Sequence, residues 1–256
     1  MTGRMAEEAR LALLAVQFLT RIPVPADPGY TSERMGRAIR YFPLVGLGLG
    51  LGLSAVYGLS TVVFPPVVAA LLAVAAGVRL TGALHEDGLA DLADGLGGGQ
   101  TRERMLDIMR DSRIGSYGTV TLGLVLALKI AALAGLGGAV AAAALVAAHT
   151  LSRLTTVVMS GRLAYARAEG KAGFADSGPG DEGMRIALAT GAIALAGLGL
   201  VAGSGAALTA LIATCILYLW FEAMLRRRLG GQTGDALGAL QQLSETVILL
   251  AVLAWD

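Results

Sequence analysis

Seven stretches of this chain are long and apolar enough to cross the hydrocarbon core of a bilayer, which is about 30 Å thick and takes roughly 20 helical residues. They are Phe42–Phe64, Val67–Leu84, Tyr117–Leu136, Ala139–Met159, Ile186–Val201, Leu208–Leu225 and Leu237–Trp255. The expected fold is all-α, a polytopic integral membrane bundle of about seven transmembrane helices. Composition agrees. Of 256 residues, 55% are hydrophobic and 15% charged, whereas soluble chains carry about a quarter charged residues. The 36 Gly come with 7 Pro and no Gly-X-Y period, so neither collagen nor a disordered low-complexity chain fits. A net charge of +1 lacks the basic field that a nucleic-acid partner requires. Cys215, the single cysteine, excludes an intramolecular disulfide, a Cys-based zinc site and an iron–sulfur cluster.

Met5–Thr20 is amphipathic, with Glu7, Glu8 and Arg10 near its start. It reads as an interfacial helix, since it lacks the basic start and small-residue cleavage site of a signal peptide. The basic residues set the orientation. Arg4, Arg10, Arg21, Arg34, Arg37 and Arg40 precede the first span, and Arg79, Arg102, Arg104, Arg110 and Arg113 flank or fill the connection between the second and third. Arg162, Arg167, Lys171 and Arg185 lie between the fourth and fifth, and Arg226, Arg227 and Arg228 between the sixth and seventh. Of the 20 Lys and Arg, this leaves Lys129 and Arg153. Every second connection is basic, as the positive-inside rule requires of seven spans with a cytoplasmic N-terminus. Polar chemistry is therefore expected at the cytoplasmic face.

The most informative stretch is His85-Glu86-Asp87-Gly88-Leu89-Ala90-Asp91-Leu92-Ala93-Asp94-Gly95. Asp87, Asp91 and Asp94 stand at i, i+4 and i+7, on one face of a helix, where like charges repel. A hard divalent cation, Mg²⁺ or Mn²⁺, would neutralise them. The bland reading is a solvated acidic face. The intervening Leu and Ala, and fusion to an apolar span ending near Leu84, weigh against it. Beside a membrane, this pattern suggests metal-dependent phosphoryl or prenyl transfer.

Downstream, Arg110-Asp111-Ser112-Arg113 offers two guanidinium groups able to clamp phosphate oxygens. Asp111 between them is a fourth ligand or an arginine-orienting group; an ion-paired cap on the next helix is equally consistent. Within the spans, His149 and Arg153 lie one turn apart and Lys129 sits mid-span. Ionisable groups at that depth default to function, although Arg153 is placed to snorkel and His149 to bond a neighbouring helix. Near the end, Gly230-Gly231-Gln232-Thr233-Gly234-Asp235 opens the last span, and Asp235, Gln242 and Glu245 recur on one face. A capping Asp235 would explain the loop but not Glu245 inside an apolar run. Gly46, Gly48, Gly50 and Gly52 read as close helix packing.

These motifs, taken in order, resemble the cobalamin synthase family, the adenosylcobinamide-GDP ribazoletransferases. The likeness rests on His85–Gly95 and on Ile108-Met109-Arg110-Asp111-Ser112-Arg113-Ile114-Gly115. It extends to Phe18-Leu19-Thr20-Arg21-Ile22-Pro23-Val24-Pro25, Phe42-Pro43-Leu44-Val45-Gly46, Leu151-Ser152-Arg153, Gly170-Lys171 and Thr233–Ala239. Gly173–Gly183 contributes nothing to it. The resemblance implies a single membrane-embedded catalytic domain, 1–256, with a cytoplasmic or interfacial segment at 1–41 and a cytoplasmic acidic motif loop at 85–116. It also implies multi-pass insertion in the cytoplasmic membrane and Mg²⁺ dependence, with Mn²⁺ as a substitute. The substrates would be adenosylcobinamide-GDP and α-ribazole or its 5′-phosphate, with GMP released. Gly-rich faces would also permit a homo-oligomer.

With that chemistry, the expected metal ligands are Asp87, Asp91, Asp94 and Asp111. The expected catalytic set is His85, Glu86, Asp87, Arg110 and Arg113, with the general base open among His85, Glu86 and the aspartates. Substrate contacts are expected from Arg21, Asp111, Ser112, Arg153, Lys171, Thr233, Asp235 and Glu245. A CDP-alcohol phosphotransferase would share the carboxylate helix, but its usual Ala-Arg after the Asp-Gly pair is here Ala90-Asp91. A membrane prenyl transferase needs a second aspartate-rich motif, and Asp111 or Asp235 supplies a poor one. A transporter would use His149, Lys129 and Glu245 as its ionisable path.

Overall fold

A computed structural model of the protein describes residues 2–24, 28–166 and 178–255. The order is α1 Thr2–Leu19, α2 Ser32–Ala38, a 3₁₀ turn Ile39–Tyr41, α3 Phe42–Thr61, α4 Pro66–Thr81, α5 Leu84–Gly98 and α6 Arg102–Ile108. It continues with α7 Ser116–Gly135, α8 Gly138–Ser160, α9 Gly180–Ala202, α10 Ser204–Arg228 and α11 Gly234–Leu253. The one strand-like pairing among the described residues is a bridge between Tyr165 and Gln232. The protein is an all-α polytopic membrane protein. By length and composition 6 helical segments can cross a bilayer, or up to 7 when α4 and α5 are counted as one broken span.

That broken span corrects the straight helix expected over Val67–Leu84. Helix α4 ends at Thr81, and α5 leaves it at 90°. With 16 residues, α4 is about 24 Å long, short of the hydrocarbon thickness, so the chain turns early. Gly82 at φ 66° and Ala83 at φ 58° make the corner, two left-handed residues in succession. For Ala83 that conformation costs roughly 1–2 kcal/mol relative to right-handed backbone. The region 85–116 carries the acidic motif on a helix, as its spacing predicts. It holds α5 and α6, and α5 buries Leu89 and Leu92 with Phe221 and Leu225 of α10 and Leu240 of α11.

Helices α8 and α11 are central, with 67% and 72% of their apolar windows buried. Hydrocarbon provides no hydrophobic force between helices, so close packing must hold them. Small residues provide it: a Cβ at Gly46 would overlap the His149 carbonyl, and one at Gly50 would overlap Val146, whereas Gly48 and Gly52 face open space. Half of the glycine run thus seats α3 on α8. The outer surface carries Leu51, Leu59, Leu124, Ile193 and Leu200, all exposed, as a lipid-facing belt should.

Candidate functional site

Helix α5 lies across the first turns of α11. Gly88 abuts the Asp235 backbone, and Gly238 of α11 meets the His85 and Gly88 backbones. Side chains of any size at either glycine would push the helices apart. The crossing divides α5 into two faces. Asp87 is exposed and Asp91 half-buried on the outer face. His85 and Glu86 turn inward and are buried.

The inward face meets a cluster of ionisable groups inside the bundle. At its centre is Glu245 of α11, 1% exposed. Its Oε2 accepts from Lys129 Nζ of α7 at 2.5 Å. Its Oε1 pairs with His149 Nδ1 at 2.7 Å and accepts from Arg153 Nη1 at 3.2 Å, both of α8. Gln241 Nε2 also donates to Oε1. Lys129 further donates to Gln242 Oε1 at 2.9 Å, and Gln242 Nε2 donates to Glu86 Oε1 at 2.9 Å. One continuous network therefore runs from mid-bundle to the first turn of α5. Two cations, Lys129 and Arg153, face two carboxylates, Glu86 and Glu245. Such pairing lets charges persist where solvation is poor. A cavity of ≈ 30 Å³ lies among these side chains, and Glu86 Oε2 and Arg153 Nε have no protein partner. It has room for a water or two.

The remaining acids of the motif are engaged locally. Asp94 is buried and accepts from the backbone N–H groups of Gly115 at 2.7 Å and Gly118 at 2.8 Å, which caps the start of α7. Asp111 takes Arg113 in a forked pair, with Nη2 to Oδ2 at 2.6 Å and Nε to Oδ1 at 3.0 Å. The Arg113 side chain and its backbone N–H hold the Asp111 carboxyl down at about 2, and Asp111 raises Arg113 in return. Arg110 is exposed and approaches Asp107 at 3.9 Å. Ser112 is exposed beside them.

The other expected substrate contacts are dispersed. Arg21 sits against Gly82 at the α4–α5 corner. Arg153 and Glu245 belong to the buried network. Thr233, rather than Asp235, caps α11: it is fully buried, and its hydroxyl accepts from Ala236 N at 3.1 Å. Asp235 is half-buried in that helix's first turn. Lys171 lies outside the described residues.

Among the described residues no three His, Cys, Asp or Glu side chains converge on a point that a metal ion could occupy. Of the four expected ligands, Asp94 is bonded to backbone and Asp111 to Arg113, while Asp87 and Asp91 stand one turn apart, exposed and half-buried. Two carboxylates are in keeping with Mg²⁺, which fills its remaining positions with water and phosphate oxygens.

Sequence reasoning joined Lys129, His149 and Glu245 only as a transporter's ionisable path, and left Glu86 and Gln242 out of it. Their union, and the link through Gln242 to Glu86, depends on helix register. Arg102 and Arg228 gave no signal at all. Arg102 donates to the carbonyls of Leu229 and Ala166, each at 2.7 Å, and Arg228 to that of Leu96 at 3.2 Å. They tie the α8, α10 and α5 ends together.

Residues 11–253 match the family model described as Cobalamin-5-phosphate synthase. The chain is 44% identical to the adenosylcobinamide-GDP ribazoletransferase of Shewanella amazonensis, over 96% of its own length and 95% of the relative's. It is 46% identical to that of Leptothrix cholodnii, over 98% and 96%, and 42% identical to that of Ralstonia nicotianae, over 100% and 99%. No solved structure matches. With matches of this extent, the chain belongs to the cobalamin-5-phosphate synthase family.

Proposed function

We propose that this protein transfers the adenosylcobinamide phosphate group of adenosylcobinamide-GDP to α-ribazole or its 5′-phosphate, releasing GMP and forming adenosylcobalamin or its 5′-phosphate. Its relatives carry the corresponding enzyme name. The observation that supports it most directly is α5, with Asp87 and Asp91 turned outward while its inner face is braced on a charge-balanced network. That brace fixes where the outer carboxylates stand, as positioning for phosphoryl transfer demands.

The acceptor's ribose hydroxyl attacks the phosphorus on the corrinoid side, a new P–O bond forms, and the bond to the bridging oxygen breaks as GMP leaves. Mg²⁺, or Mn²⁺ in its place, when held by Asp87 and Asp91 supplies positive charge against the pyrophosphate oxygens. Arg110 and Arg113, on the neighbouring loop, are the groups to neutralise charge on the departing GMP. Arg113 would exchange Asp111 for phosphate to do so. His85 and Glu86 face the bundle, so their role is to hold α5, which leaves the proton acceptor among the aspartates. The positive-inside pattern supports a site on the cytoplasmic side of the cytoplasmic membrane.

A carrier reading draws on the same buried ionisable groups. Their cavity of ≈ 30 Å³ is far below the roughly 300–1,000 Å³ of a small-molecule site, and the cluster is internally paired, which favours the enzyme. Purified protein mixed with both precursors is expected to release GMP when Mg²⁺ is present and to stop when it is chelated. Asp91→Asn is expected to lower the rate and raise the Mg²⁺ requirement. Full activity of that variant at ordinary Mg²⁺ would remove Asp91 from the metal site, and no GMP release by the wild type would sink the reading itself.

A further inference from the structure

A groove of ≈ 780 Å³ runs between α4 and α7. Val74 and Val78 of α4 and Leu126 and Ile130 of α7 line its walls, and Arg21 and Arg79 stand at the end beside the Gly82–Ala83 corner. Neither arginine is ion-paired among the described residues. The surface around the groove is apolar and exposed, with Leu71 at 52% and Leu124 at 61%.

We propose that this groove binds one anionic glycerophospholipid of the surrounding bilayer, its phosphate on Arg21 and Arg79 and an acyl chain along the α4–α7 walls. Three observations converge on this occupant. The walls open into the lipid-facing belt, where acyl chains are the solvent. Two exposed guanidinium groups stand at the end of an apolar groove, at the level where phospholipid phosphates lie, and forked donors suit a phosphate diester. The volume lies within the range of small-molecule sites. Position adds a consequence. Val74 and Val78 also line the inner cavity beside Glu86 and Lys129, so the lipid would press on the helix whose end orients α5. Arg21 N donates to the Leu80 carbonyl at 2.6 Å, which ties the N-terminal segment to the same corner.

The test is native mass spectrometry of the intact protein, released from nanodiscs of phosphatidylcholine containing a minor share of phosphatidylglycerol. The wild type is expected to retain one phosphatidylglycerol in preference to phosphatidylcholine. Arg79→Gln is expected to weaken that retention about tenfold, the loss of one charge-assisted hydrogen-bonding group. Leu126→Trp, which fills the groove and keeps both arginines, is expected to expel the lipid as well, so the idea survives a misfolded arginine variant. Equal retention of the two lipids by the wild type would overturn the proposal, as would unchanged preference in both variants. So would displacement of phosphatidylglycerol by inorganic pyrophosphate, because the groove would then serve a soluble phosphate.

Discussion

The two faces of α5 treat the same kind of group in opposite ways. On the outer face Asp87 is exposed. On the inner face Glu86 is tied through Gln242 to Lys129 and Glu245, in a network whose charges balance. At the centre of that network Glu245 has its cationic partners built in, which leaves it little capacity to respond to a ligand. An exposed one is cheap to keep and can change partners. The comparison teaches that carboxylates one residue apart divide the work: the inner holds the helix in place, and the outer stays exposed, as the proposed phosphate chemistry requires.

The sharpest way to break this comparison is to remove the inner anchor. Glu245→Ala strands Lys129 and Arg153 in the bundle without their carboxylate, and breaking a buried pair by deleting one partner typically costs about 3–5 kcal/mol. Unfolding in mixed micelles on titration with a denaturing detergent should show a loss of that size. Asp87→Asn, measured the same way, should leave stability unchanged while lowering GMP release by about 100-fold or more. If Glu245→Ala unfolds like the wild type, the network is no brace and the two faces do not differ as argued.

Much of this division was legible in the chain, and its gaps have a physical reason. Long apolar runs dictate helices, so the bundle and its membrane setting followed from local pattern. The acidic motif was equally local, since i and i+4 share a face wherever the helix goes. Lost from view was which way that face turns. Asp94 continues the same spacing, yet it is buried because α7 begins beside it and its first N–H groups need an acceptor. The Gly82–Ala83 corner was hidden too: an alanine at φ 58° breaks the local preference, with its N–H donating to the Val78 carbonyl and its carbonyl accepting from Asp87 N. Register between distant helices assembled Lys129, His149, Arg153 and Glu245, and no spacing within one helix encodes that.

Asp94 allows a finer version of the test, because it belongs to the same motif and helix face yet is buried against the start of α7. Asp94→Asn keeps the size of the side chain but turns one of its two acceptors into a donor that opposes a backbone N–H. Loss of a hydrogen bond to a charged group predicts about 2 kcal/mol of destabilisation. Hydrogen exchange at the first turn of α7 should accelerate with it. The Mg²⁺ requirement of the residual activity should stay as in the wild type, which separates a cap from a ligand. A raised Mg²⁺ requirement with wild-type stability would return Asp94 to the metal site.

The smallest effect belongs to the corner that joins the two faces to the rest of the bundle. Ala83 at φ 58° carries a Cβ where a glycine would carry none, so Ala83→Gly relieves roughly 1–2 kcal/mol of backbone strain. The glycine also gives the unfolded chain more freedom, which offsets about 0.5–1 kcal/mol of that gain. The net expectation is a stabilisation of at most about 1.5 kcal/mol, with α5 unmoved and GMP release unchanged. Ala83→Val carries the opposite sign, since a β-branched residue tolerates the left-handed region less well than alanine does. If glycine instead lowers activity while raising stability, the corner's stiffness is part of how α5 presents Asp87, and the inner network alone does not set the position of the outer face.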